Sequence, residues 1–109
     1  MDQVTAAKLV EDVESIVRRS AGRGPRENPA AVPLSALVGA LRGPGPRGGW
    51  AAAPESGRRW TLSTHFLNWD FEDLLEKSGR VKIVKVMEKA APSVCRMRLV
   101  ELVESKEVL

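Results

Sequence analysis

The sequence predicts an α+β domain, with three helices packed on a small antiparallel β-hairpin. Two apolar stripes at helical spacing come first, and a third runs through the acidic segment FEDLLEKSG. Two basic, period-two stretches then close the pattern. A chain of 109 residues suits a single domain, and a hydrophobic fraction of 43% supplies one modest core.

In the first helix Val4, Ala7, Leu9, Val10, Val13, Ile16 and Val17 recur at helical spacing. Lys8, Glu11, Asp12 and Glu14 occupy the other side. Asp2 offers a cap, Arg18 and Arg19 suit the negative end of the helix dipole, and Gly22 with Pro25 stops the helix. The stretch SAGRGPRENPAA buries nothing and reads as a loop. Residues 32–42, VPLSALVGALR, give the second helix: Pro33 sits in its opening turn, and Leu34, Leu37, Val38 and Leu41 form its stripe. Val32 is placed to pair as a strand of one or two residues. GPGPRGGWAAAPESGRR has no period, and loops beyond ~12–15 residues are uncommon inside compact domains. Residues 43–59 are therefore predicted to be a flexible insertion, with Trp50 and Trp60 positioned to pin its ends.

Phe66, Leu67, Phe71, Leu74 and Leu75 share one face of the third helix. Ser63, Asn68 and Asp70 each offer a cap. Two starts stay open: one helix from 64, or a short turn and then a helix from 69. Ser78 and Gly79 end it. In RVKIVKV, Val81 and Ile83 point to the core, with Val86 a further candidate and Lys82 and Lys85 left to solvent. In SVCRMRLVELV, Cys95, Met97 and Leu99 alternate with Arg96 and Arg98, which places the arginines outward. The short connection MEKAAPS makes the two strands an antiparallel hairpin. This is the winged helix-turn-helix layout, with residues 87–93 as the wing. It forms a single domain over residues 1–104, and 105–109 are a tail.

VPLSALVGAL, FEDLLEKSGRVKIV and CRMRLVEL together resemble the LOTUS (OST-HTH) branch of winged-helix domains. The likeness spans residues 10–103 and lies in hydrophobic spacing. It implies an adaptor domain, since some members of that family bind RNA and some dock on DEAD-box helicases.

The net charge of +3 conceals segregation along the chain: −3 over residues 1–17, +6 over 18–60, −3 over 61–79, +5 over 80–98 and −2 over 99–109. Such blocks favour a charged partner. On the hairpin Arg80, Lys82, Lys85, Lys89, Arg96 and Arg98 form a cationic set suited to a phosphate backbone. In the loop, Arg58 and Arg59 stand beside Trp60, with Arg42, Arg47 and Trp50 nearby, a composition suited to stacking on unpaired bases. Against these stand plainer accounts: a solvated strand face that discourages edge pairing, and tryptophans that fold back on the core. Glu72, Asp73 and Glu76 on the third helix oppose insertion of that helix into a DNA groove.

The expected function is non-catalytic binding of RNA or DNA, RNA favoured, through the wing and loop. The alternative is a protein-interaction module that docks a partner such as a helicase or a larger complex. No nucleotide or hydrolase motif is present, and the prolines of GPGPRGG remove donors that a phosphate cradle needs. His65 and Cys95 are single residues of their kinds, short of the four ligands of structural zinc. No enzyme activity, metal, cofactor or small-molecule substrate is expected. The single cysteine, the acidic N-terminal segment and the lack of a long apolar run predict an intracellular protein, in cytoplasm or nucleus, without membrane insertion.

Overall fold

The computed structural model describes residues 2–22, 29–43, 51–90 and 93–103, and for 86–90 and 93–97 the backbone alone. In chain order it contains α1 (Gln3–Arg19), β1 (Val32–Pro33), α2 (Leu34–Arg42), α3 (Thr64–Trp69), α4 (Phe71–Ser78), β2 (Val81–Ala90) and β3 (Ser93–Leu102). The sheet is antiparallel throughout, in the order β1-β3-β2. Among the described residues this is an α+β fold of four helices and three strands.

The helices start and stop where side-chain chemistry allows. The Asp2 carboxylate accepts from the Thr5 amide at 2.7 Å at the head of α1, and the Ser63 hydroxyl accepts from the Phe66 amide at 3.1 Å at the head of α3. Gly79 ends α4 with φ +73°, the left-handed conformation that glycine adopts freely. Of the two starts that the spacing leaves open, the observed arrangement is nearer the second: a six-residue α3 precedes α4, and Asp70, at φ −116°, separates them. The Phe66 and Phe71 rings still meet across the break, 5.7 Å between centroids.

The core lies between the helices and one face of the sheet. Leu9, Val13, Ile16, Val32, Leu37, Leu41, Phe71, Leu75 and Val100 are all fully buried there. Two sequence expectations are corrected by this packing. Asp12, placed on the solvent side of α1 by its pattern, is buried, because residues 51–60 lie across that side of the helix. The inward row of β3 is Val100 and Leu102, which pack with Val81 and Ile83; Leu99 stands on the opposite face, outside the main core cluster. Leu99 and Val100 are adjacent and both apolar, so either parity of the strand offers an apolar row. Pairing with Val81 and Ile83 selects the second. Arg98 consequently shares the helix-side face with Val100 rather than the outer face.

Of the expected insertion at 43–59, residues 44–50 lie outside the described residues. The remainder is fastened to α1. Amides of Ala52 and Glu55 donate to the hydroxyls of Ser20 (2.9 Å) and Ser15 (2.8 Å), and Arg19 donates to the Ala53 carbonyl at 2.9 Å. Trp60 closes the segment, its amide donating to the Leu41 carbonyl at 2.8 Å. Trp60 does pin its end of the segment; Trp50 lies outside the described residues.

Candidate nucleic-acid interface

The antiparallel register fixes which hairpin cations share a face. Lys85 stands opposite Arg98, Met87 opposite Arg96 and Lys89 opposite Val94. Facing pairs in an antiparallel ladder lie on one side of the sheet, and positions two apart along a strand return to that side. Positions 85, 89, 96 and 98 therefore form one four-cation row, with no acidic position among 85, 87, 89, 94, 96 and 98. The side chains of Lys89 and Arg96 lie outside the description, so their place is a register position.

The other four predicted residues lie elsewhere. Lys82 is on the opposite face of β2, where its ammonium meets Glu101 at 3.1 Å. Arg80, at the junction of α4 and β2, reaches Glu14 on α1 at 2.8 Å. Arg58 is on the α1 side of the molecule, 3.3 Å from the buried Asp12 carboxylate. Arg59 is exposed and lays its side chain against Gly43, where a Cβ would come within 3.2 Å of it. The set of eight thus divides into a row on the hairpin and isolated cations tied to α1, α2 or the outer sheet face.

The row is not uniformly free. Arg98 Nε lies 3.4 Å from a carboxylate oxygen of Glu72 on α4, both side chains being substantially solvent-accessible. An ion pair so exposed contributes little and yields readily to a competing anion. Lys85 is exposed and has no ion-pair partner among the described residues. Comparisons with family models, curated proteins and solved structures give no match.

Besides Glu72, α4 carries two further acids. Asp73 and Glu76 are exposed, and Asp73 is held by Lys77 at 3.0 Å. An α4 lodged in a duplex groove would bring these carboxylates against phosphates. Beneath the root of the hairpin, Leu34, Val38, Leu67 and Phe71 floor a hollow of about 470 Å³, and Arg42, Asn68, Glu72 and Arg98 edge it. Arg42 also donates to the Leu62 carbonyl at 3.0 Å.

Sequence reasoning missed Trp69, which is 72% exposed at the end of α3. Its signal is its place between Asn68 and Asp70, two cap-forming residues that take it out of the apolar stripe. Reasoning along the chain also missed the carboxylate partners of Arg80, Lys82 and Arg98, which come from distant elements. His65 is exposed on α3, and the Cys95 side chain lies outside the description. Among the described residues no three potential metal ligands gather, and no helix is long and apolar enough to cross a membrane.

Proposed function

We propose that the chain is a non-catalytic, winged-helix nucleic-acid-binding domain that engages RNA in preference to duplex DNA through its hairpin. The observation that carries this reading is the register setting Lys85 opposite Arg98, with positions 89 and 96 on the same side. Four cations along one hairpin face match a phosphate backbone, whose neutralisation by lysine and arginine releases counterions. The acids of α4 disfavour major-groove reading, and so favour a backbone-tracking mode over sequence readout of DNA. The resemblance to LOTUS domains, some of which bind RNA, points the same way. Lys82, Arg80, Arg58 and Arg59 are outside the proposed contact row.

Fluorescence anisotropy of labelled single-stranded RNA and duplex DNA, repeated across a salt series, tests the reading. Log affinity for RNA should fall linearly with log salt, with a slope of about −2 to −3 if the four cations each meet a phosphate. RNA should bind tighter than the duplex at every salt concentration. Failure of both ligands to bind at low salt overturns the proposal.

A further inference from the structure

The proposed wing contact leaves a groove between α1 and α4 unused. We propose that the cleft between α1 and α4 docks an amphipathic helix of a protein partner, whose apolar face is followed by lysine or arginine. Ala6, Ala7 and Val10 of α1 and Leu74 of α4 line this cleft of about 510 Å³. Its apolar walls belong to two helices, and the alanines leave room for a third helix to approach closely. Val4, one turn before Ala7, is 65% exposed, so the apolar stripe of α1 continues past the part that the core covers.

Charge complementarity identifies the occupant. The cleft continues past Glu11 and Glu14 into a second hollow of about 500 Å³ that Glu55 edges. Around the two hollows Lys77 meets Asp73 at 3.0 Å, while Arg80 and Arg18 share the one carboxylate of Glu14, at 2.8 and 3.7 Å. Glu11 and Glu55 are exposed, and their carboxylates have no partner among the described residues. Three carboxylates, Glu11, Glu14 and Glu55, thus face the two guanidiniums of Arg18 and Arg80, so the excess charge of this surface is negative. An anionic occupant would add repulsion at both carboxylates, whereas a cation next to an apolar anchor meets them directly. Nucleic acid is disfavoured here for the same reason that it is favoured on the hairpin.

The test is an NMR titration of the ¹⁵N-labelled full chain with two synthetic helical peptides. Both carry leucines at i, i+3 and i+4 spacing; one has lysines a turn further on and the other has glutamates there. The lysine peptide should shift amides of Ala6, Ala7, Val10, Glu11 and Leu74 and bind at least about tenfold tighter than its glutamate counterpart, a difference of about 1.4 kcal/mol. The double variant Glu11→Lys, Glu55→Lys, altered at two exposed positions, should reverse that preference. No groove shifts with either peptide at millimolar concentration, equal affinity for both, or an unreversed preference would each overturn the inference. None of these results bears on RNA binding, so the two proposals stand or fall separately.

Discussion

The indole N–H of Trp60 donates to Oδ2 of Asp12 at 2.7 Å, joining residues 48 positions apart in sequence. Oδ1 of the same carboxylate accepts from the Ser56 hydroxyl at 2.8 Å and from the Arg58 guanidinium at 3.3 Å. With Asp12 only 2% exposed, these donors replace the water that a buried carboxylate requires. The segment over residues 51–60 is thus fastened to α1 and its C-cap at three points in turn: Ser20, Ser15 and Asp12.

Asp12→Ala should accordingly cost about 2–4 kcal/mol, since it strands several donors at once. Asp12→Asn should cost less. Its carbonyl still accepts from the indole and its amide can donate to a reoriented Ser56 hydroxyl, but the amide then opposes the Arg58 donor. Urea unfolding followed by tryptophan fluorescence measures both. An Asp12→Ala midpoint equal to that of the parent would show that the segment stays in place without this carboxylate.

Leu74 and Leu75 separate in the same way. The helical stripe includes both, yet Leu75 is fully buried while Leu74 is partly exposed on the α1–α4 cleft. Leu75→Ala should cost about 2–5 kcal/mol by opening a core cavity. Leu74→Ala should cost clearly less, because its wall is already open to solvent. Equal losses in denaturant unfolding would contradict the packing described for α4.

These residues show what could be read from sequence and what could not. Periodicity located α1, α2 and the hairpin because burial of one face dictates spacing along each element. A minimal strand at Val32 was legible before α2, but its partner on β3, Val100, was not. Asp12 was misplaced because its burial depends on chain more than forty residues away, and no local pattern records that. The facing of β3 was misread because Leu99 and Val100 make two parities equally apolar. The hairpin cations were found as a composition, but their division between faces needed the register. Glu14, Glu72 and Glu101 compensate Arg80, Arg98 and Lys82 across elements, which sequence spacing does not show.

Gly79 offers a test of the α4–β2 junction. Its φ of +73° is strained for most L residues, while a Cβ at this position would meet nothing within 4 Å. The penalty for Gly79→Ala is therefore conformational, about 1 kcal/mol. Gly79→Asn should lose less, because asparagine tolerates the left-handed region. A thermal unfolding series that ranks glycine, asparagine and alanine otherwise would contradict this account of the turn.

Lys82 and Lys85 provide the sharpest discrimination on the hairpin. They are close in sequence, both exposed, and alike in charge, so composition alone assigns them equal roles. The ladder separates them: Lys85 stands opposite Arg98 on the proposed contact row, while Lys82 stands opposite Glu101 on the other face and bonds to it. Lys85→Ala should weaken RNA binding and reduce the salt slope by about one. Lys82→Ala should leave both unchanged. Each substitution removes a solvent-facing ammonium, so stability should move by no more than about 0.5 kcal/mol in either case. Anisotropy titrations at several salt concentrations measure the slopes directly. Equal losses from the two alanines would mean that binding follows net charge rather than one face, and the register would no longer support an interface on the hairpin.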